Sequence, residues 1–485
     1  ADPWRPAAER AQVERDWMLQ DYMAVDLPAP LAAEREAWRD QYLKAPESRR
    51  DPPVLERPAC FTSESDGVVD FRMVLHAGGE LGPAGTELQR QAEALRPEAA
   101  PGADPRWKRL YLRACELRRA KRLVPLSERC VRLVLSKHPH VPHSWKYTEV
   151  LSDPQTDRHR YYRPGASIHL VELDGLWARL QPLVEDADGV LRNPDVSYDG
   201  KRMLFAWKQS DRGDDFHLYE MDLADRSVRQ LTEGEGFADY EGVYLPDGNV
   251  LFSSTRCCQT VDCNWVEVSN FYLMDGDGRY LRRVGFDQVH TIFPTVTDDG
   301  RVLYTRWEYS DRGQIFPQPL FQMNPDGTNQ REFYGNNSWF PTNIIHGRKI
   351  PGSRKVLAVV TGHHRPAHGK LAILDPGRGR QEGRGVQLIA PIRPADYVRV
   401  DRYALDGIQF QYPYPLDEKH FLVTAALPTP KGGLGRFDLY LMDTQGRREL
   451  LASGDGPGEA VGCKQAIPLA QRPRRCEQPG RVHHQ

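Results

Sequence analysis

A strand-turn-strand unit that ends in an aromatic residue, an apolar pair and an acid recurs through the last two thirds of the chain. Clear copies are DFHLYEMDLADRSVRQLTEG, SNFYLMDGDGRYLRRVG, PQPLFQMNPDGTNQREFYG and RFDLYLMDTQGRRELLASG. Each follows a unit such as NPDVSYDGKRMLFAW, YEGVYLPDGNVLFSS or FPTVTDDGRVLYTRW. The terminal acids, or the Asn that replaces one, are Asp174, Asp222, Asp275, Asn324, Asp375 and Asp443, most of them roughly 50 residues apart. About four short strands per period is the pattern of a β-propeller. The repeats predict six blades: one opening at CVRLVLSKH, then about 193–233, 239–285, 290–335, 340–391 and 409–453. The wide last gap holds RPADYVRVDRYALDG, which reads as an insertion.

A lone four-stranded sheet cannot bury both faces. Radial stacking buries them and leaves only short edges. SYDGKR, LPDGNV and TDDGRV are Asp-Gly hairpins in which Gly supplies positive φ. They join first strands to second, and MDGDGRY and MNPDGTN join third to fourth. All of these tight turns therefore share one face. The longer second-to-third and blade-to-blade loops share the other, where function is expected. GCKQAIPLA, after the sixth unit, is expected to add a strand to the first blade and close the ring.

Residues 1–125 have a different composition. PAAERAQVERDWMLQDYMAV, LAAEREAWRDQYLKA and DPRWKRLYLRACELRRAKRLV carry apolar residues at helical spacing. Asp104 suits an N-cap and Pro105 a first turn. LGPAGTELQRQAEALRPEAAPGADP reads as a linker with one short helix. The expected organisation is a helical N-terminal region (1–125), a mainly β six-bladed propeller (126–470) and a tail (471–485) that reads as truncated. The chain opens on Ala1, which reads as a removed leader or a fragment.

Lys+Arg is 65 and Asp+Glu 67, a net charge of -2, so the balance does not favour a nucleic-acid partner. No apolar run reaches the roughly 18 residues that a membrane helix needs. Eight cysteines in 485 residues are too few for a disulfide scaffold and leave the compartment open.

The loop-rich face gathers carboxylates, imidazoles, thiols and aromatics. Blade-to-blade entries supply Asp239, Tyr240, Glu241, His290 and Trp339, and second-to-third loops supply Trp307, Cys257, Cys258, Cys263, His363, His364 and His368. Asp239, Tyr240, Glu241, Trp307 and Trp339 form an expected ligand-binding rim. His290, His363, His364, Cys257, Cys258 and Cys263 form a candidate transition-metal set, since imidazole and thiolate are the usual ligands. Each has a plainer reading. TRCCQTVDCN lacks a standard zinc spacing and reads first as a disulfide or structural thiol loop. Loop histidines are more often solvated or hydrogen-bonded than metal-bound. His290 enters an inner strand and is the best single ligand candidate; His346, within a strand, reads as structural. WKQSDRGDD and WEYSDRGQ repeat an Asp-Arg pair that reads as turn-locking. KHPHVPHSWKY is an extended loop because of its prolines.

Three familiar engines are missing from the sequence: a Gly-x-Ser-x-Gly elbow, a phosphate-cradling or dinucleotide Gly loop, and a Cys-x-x-Cys-His haem site. SYDGKRMLFAWKQSDRGDDFHLYEMD, ADYEGVYLPDGNVLFSSTRC, FDQVHTIFPTVTDDGRVLYTRWEY and IPGSRKVLAVVTGHHRPAHGKLAILDP resemble the middle domain of the hydrazine synthase alpha subunit. They also resemble the exported bacterial proteins that share that domain, and more distantly the Tol-type propeller repeat. The resemblance runs from about 130 to 470. It implies a six-bladed propeller in a periplasmic or secreted protein. In hydrazine synthase, neighbouring parts carry c-type haems and condense nitric oxide-derived with ammonium-derived nitrogen. This sequence has no attachment motif, so no covalent c-type haem is expected and no catalytic residue carries over. The expected function is a binding or scaffold module that takes a protein, glycan or small ligand on its loop-rich face. The alternative is a metal- or haem-dependent redox enzyme related to hydrazine synthase.

Overall fold

Asp-Gly turns dictate the first-order geometry. Gly248 (φ 91°) and Gly300 (φ 78°) occupy the left-handed region that tight hairpins need. The structure, a computed structural model, describes residues 3–25, 69–99, 104–139, 162–261, 266–309, 317–363, 366–395, 407–428, 434–455 and 461–469. Within them, six antiparallel sheets form the blades of a propeller.

From inner to outer strand, blade 2 is Val190–Val196, Arg202–Lys208, His217–Asp222 and Val228–Gln230. Blade 3 is Asp239–Tyr244, Val250–Ser254, Asn270–Met274 and Arg282–Arg283. Blade 4 is Thr291–Val296, Val302–Arg306, Leu320–Met323 and Arg331–Tyr334. Blade 5 is Asn343–Lys349, Val356–Thr361, Lys370–Leu374 and Val386–Leu388, with Arg393–Pro394 beyond. Blade 6 is Gln409–Pro415, His420–Pro428, Leu434–Asp443 and Arg448–Ala452. Every terminal acid of the repeat, and Asn324, sits at or just past the end of a third strand.

Blade 1 takes strands from both ends of the chain. Val461–Pro468 is its inner strand, followed by Arg132–Pro139, Ala166–Asp174 and Trp177–Asp186. The C-terminal segment thus closes the ring, as its apolar pattern suggested. Each inner strand touches the inner strands of both neighbouring blades. Apolar side chains fill the wedges between blades; between blades 3 and 4, Phe271 meets Tyr304 edge-on at 5.1 Å.

Four helices are described: α1 (Arg10–Val25), α2 (Phe71–Gly78), α3 (Pro83–Leu95) and α4 (Pro105–Ser127). α4 starts as expected, with Asp104 accepting from Arg106 N and Pro105 in the first turn. α3 is the short helix expected in the linker. α2, which the sequence reading missed, is capped by Asp70, whose side chain accepts from Arg72 N and Met73 N. The segment LAAEREAWRDQYLKA and the tail lie outside the described residues.

α1 and α4 pack on the outer strand of blade 6, beside the closure seam, and α2 and α3 pack on the other helices. Arg5–Pro6 adds a fifth strand to blade 1. Ala7 then donates to Ala178 O of blade 1 and accepts from Ser453 N after the last strand of blade 6, both at 2.9 Å. Glu449, buried on blade 6, gathers Trp17 Nε1 (2.8 Å) from α1, and Arg119 Nη1 (3.1 Å) and Arg122 Nη1 (3.2 Å) from α4. Arg119 also donates to Leu176 O and Leu450 O, which joins blades 1 and 6. Removing one partner of such a buried ion pair leaves an uncompensated charge. Glu449→Ala should therefore lower unfolding free energy by about 3–5 kcal/mol in a denaturant titration. A loss under about 1 kcal/mol would mean that the helices do not clamp the seam.

Candidate functional site

The meander sends second-to-third and blade-to-blade loops to one face, and the residues expected there fall into distinct environments. Asp239 is buried on the inner strand of blade 3. It accepts from Ser254 Oγ (2.6 Å) and from Arg256 Nε and Nη2 (3.0 and 2.7 Å). His217 Nδ1 of blade 2 lies 3.8 Å away. Burial pushes this carboxyl up, but His217 and Arg256 outweigh it and hold Asp239 below its ordinary value. It locks a blade-to-blade entry in place. Tyr240 points away from the rim into the apolar core and is 0% exposed, so strand alternation denies it a rim position. Trp339 is the rim aromatic that stays open, 45% exposed, with its backbone N–H donating to Glu382 Oε1 at 2.8 Å.

His290, Trp307 and His363 do come together. Trp307 stacks on His290 at 5.6 Å and 18°, and its ring lies 5.5 Å from that of His363. All three are buried. His290 Nδ1 accepts from Ser269 N at 3.2 Å, which directs one ring nitrogen to the backbone. Cys257 Sγ lies 3.1 Å from Val268 O and burial pushes its thiol up, whereas Cys258 is exposed. Both are free thiols. His364 and Cys263 lie outside the described residues. Among the described residues, no three His, Cys, Asp or Glu side chains are placed to hold a metal.

A second tier lies deeper, where all six inner strands carry a β-bulge, two residues facing one on the second strand. The bulged pairs are Asn193–Pro194, Glu241–Gly242, Phe293–Pro294, His346–Gly347, Tyr412–Pro413 and, on the closing strand, Lys464–Gln465. In the first five the leading residue has positive φ: 50°, 55°, 55°, 53° and 46°. This conformation is uncommon for any residue but Gly, and for bulky side chains it marks strain or function. A Pro or Gly follows each. At Gly242 and Gly347 a Cβ would come within 3.2 Å and 3.1 Å of the Leu218 and Leu320 side chains, which would have to give way by a few tenths of an ångström.

The bulges bring neighbouring blades into hydrogen bonding at every seam. Gln465 Nε2 donates to Pro194 O (3.1 Å), and Tyr244 N to Asp195 Oδ2 (3.1 Å). Phe293 N donates to Glu241 Oε2 (2.9 Å), and Thr295 Oγ1 to Gly347 O (2.9 Å). Tyr412 N donates to His346 Nδ1 (3.3 Å), and Lys464 Nζ to Gln411 Oε1 (3.0 Å).

Inside this tier is a cavity of about 40 Å³, lined by Asn193, Glu241, Phe293, His346, Arg348 and Tyr412 among others. Glu241 Oε2 takes both Phe293 N and Ser253 Oγ (2.8 Å), and among the described residues Oε1 accepts nothing. Burial pushes its carboxyl up to about 7, against the pull of Phe293 N–H, Ser253 and Arg192. Asn193 Oδ1 is buried and has no partner among the described residues. His346 stacks on Tyr412 at 3.9 Å and meets Phe293 edge-on at 4.5 Å. Because His346 Nδ1 accepts from a backbone N–H, the neutral ring carries its proton on Nε2.

Of the expected rim residues, only Glu241 lines this cavity. Asn193, Phe293 and Tyr412 were missed, and His346 was read as a strand residue. The signal was present as RNPD, YEGV, IFPT, IHGR and QYPY: a large or polar residue before Pro or Gly at the same place in five repeats.

The fold is similar to that of hydrazine synthase from Kuenenia stuttgartiensis, at TM-score 0.54 and 16% identity over 71% of this chain and 48% of the other. This chain therefore spans about half the length of that one. TolB from Acinetobacter baumannii (TM-score 0.44, 18% identity) covers 76% of this chain and 74% of its own. An oligogalacturonate lyase in complex with manganese (0.37, 12%) covers 67% and 80%. At such identities the likeness is one of fold. No protein-family model matches the chain, and no curated protein does.

Glu241 makes a pH-dependent prediction. Its folded pKa of about 7 lies above the ordinary 4.5, so the folded state binds the proton more tightly. The contribution is full below pH 4.5 and is lost as pH rises towards 7, a swing on the order of 3 kcal/mol at about 1.36 kcal/mol per pKa step. Glu241→Gln cannot ionise. Its stability relative to wild type should rise by that amount between pH 4.5 and pH 7.5 in urea titrations. Parallel stability curves would refute the assignment.

Proposed function

We propose that this chain is an exported propeller module that binds a ligand through its loop-rich face, with the head of the ligand in the channel cavity beside Glu241. The observation that carries this reading is the pairing of strained bulge residues with unmet acceptors in one cavity. Proteins tolerate left-handed Phe, His and Tyr mainly where the surrounding structure gains from their placement. Here the side chains of Glu241, Asn193, His346 and Tyr412 line one cavity, with few polar groups among apolar walls, as ligand sites are built. Export rests on the resemblance of the repeat segments to exported bacterial proteins.

The module is read as binding rather than catalytic because its two best-placed carboxylates have separate tasks. Asp239 is tied up by Arg256, and Asp195, the other acid of the Glu241 cavity, accepts from Tyr244 N. The proposed partners are a protein, a glycan or a small ligand that presents a polar head.

A crystallographic fragment screen tests the reading. Bound fragments should occupy the channel between Glu241 and Tyr412, and Tyr412→Ala should abolish their thermal shift. Fragments confined to other surfaces would overturn it. Metal analysis of the purified chain provides a second check. A stoichiometric transition metal, lost in His290→Ala, would replace this reading with the redox one.

A further inference from the structure

Building on the channel as a ligand site, we propose that the group it takes is an alkylammonium head, a primary amine cation on a methylene stem. Two groups in the cavity are unmet acceptors. Glu241 Oε1 and Asn193 Oδ1 stand on adjacent blades at the same tier, and neither receives a hydrogen bond among the described residues. A ligand that satisfies both must bring donors, and an ammonium group offers three and no acceptor. A carboxylate or phosphate would instead meet Glu241 and leave Asn193 Oδ1 facing another acceptor.

The remaining wall is aromatic. Phe293, His346 and Tyr412 pack ring to ring within 4.5 Å between centroids. Such a wall covers methylenes and offers π faces to a cation. The competing cation of the site, Arg348, lies over Tyr414 at 5.0 Å. The cavity, at about 40 Å³, has room for about three water-sized groups, which is an ammonium and the first carbons of its stem. A trimethylated or planar guanidinium head is too broad for that space.

Two sources share this chemistry, a free small amine and a lysine side chain of a protein partner. The charged or titratable groups around Glu241 are Arg192 and Asp195 of blade 2, His346 and Arg348 of blade 5, and Tyr412 of blade 6. Between pH 6 and 8 the alkylammonium keeps its charge, as lysine does with a pKa of about 10.4, while Glu241 loses its proton. Affinity should therefore rise with pH.

The test is isothermal titration calorimetry of the full chain with butylamine, with the peptide acetyl-Gly-Lys-Gly-amide, and with butanol as neutral control. Butylamine should bind about tenfold tighter at pH 8 than at pH 6, as expected for a charge-assisted hydrogen bond switched on by ionisation. Glu241→Gln should flatten that profile. Asn193→Asp, which keeps the shape and suits positive φ, should tighten butylamine by about tenfold and leave butanol unchanged. Binding of butylamine supports a free amine; binding of the peptide alone supports a partner's lysine. If neither binds, or if both bind without responding to Asn193→Asp and Glu241→Gln, the alkylammonium assignment fails. Neutral fragments in the channel with amines excluded would overturn it while leaving the channel a binding site. An empty channel under every probe would overturn both.

Discussion

The ring of hydrogen bonds at the bulge tier is the constraint on which the rest of the structure depends. Blades pack through apolar wedges, and apolar contact is non-directional. It holds two sheets together without setting how far one slides past the next. The seam bonds supply that register. Phe293 N–H reaches Glu241, Tyr412 N–H reaches His346, and Tyr244 N–H reaches Asp195, each across one seam. The final seam uses Lys464 and Gln411, because the closing strand comes from the far end of the chain. The other three strands of blade 1 come from the N-terminal half of the chain and do not follow blade 6 in sequence. That seam is also where Ala7, Trp17 and Arg119 bind from outside. The two ends of the described chain thus secure one joint from opposite sides.

Much of this was legible in the residues. Asp-Gly turns at 50-residue spacing give the blade count and assign loops to faces, because Gly at positive φ has one cheap use in a meander. Closure by GCKQAIPLA and the capped start at Asp104 follow from pattern and capping chemistry alone. The direction of individual side chains was not legible. Period two along Asp239–Tyr244 puts Tyr240 and Glu241 on opposite sides, but a bulge at Glu241–Gly242 inserts a residue and resets the alternation. The same shift sends His346 into the channel, although its strand context suggested packing. The stacking was also hidden: His290 and Trp307 meet across one hairpin of blade 4, and His363 joins them from the adjacent blade 5.

Strain sharpens the distinction between structure and function at the bulges. A left-handed non-glycine residue costs roughly 1–3 kcal/mol, while a neutral hydrogen bond contributes roughly 0.5–1.5 kcal/mol net. The seam bond that each bulge enables does not by itself offset a Phe or Tyr in that conformation. Glycine would keep the backbone hydrogen bonds at Phe293 and Tyr412 without the strain, since both donate through backbone N–H. What glycine would lose is the ring in the channel. The side chains at these two positions therefore serve the cavity, and the backbone serves the seam.

Two carboxylates, two residues apart on one strand, show how the fold divides the tasks. Asp239 meets a guanidinium, a hydroxyl and an imidazole, and is held in its charged form. Glu241 meets one hydroxyl and one backbone N–H in a buried cavity, and is held near the middle of its titration at neutral pH. Environments that push neighbouring acids apart in this way mark functional sites more often than structural ones. A carboxyl kept only for packing would be stabler as an amide or fully paired. Glu241 is neither. Its second oxygen accepts no hydrogen bond among the described residues.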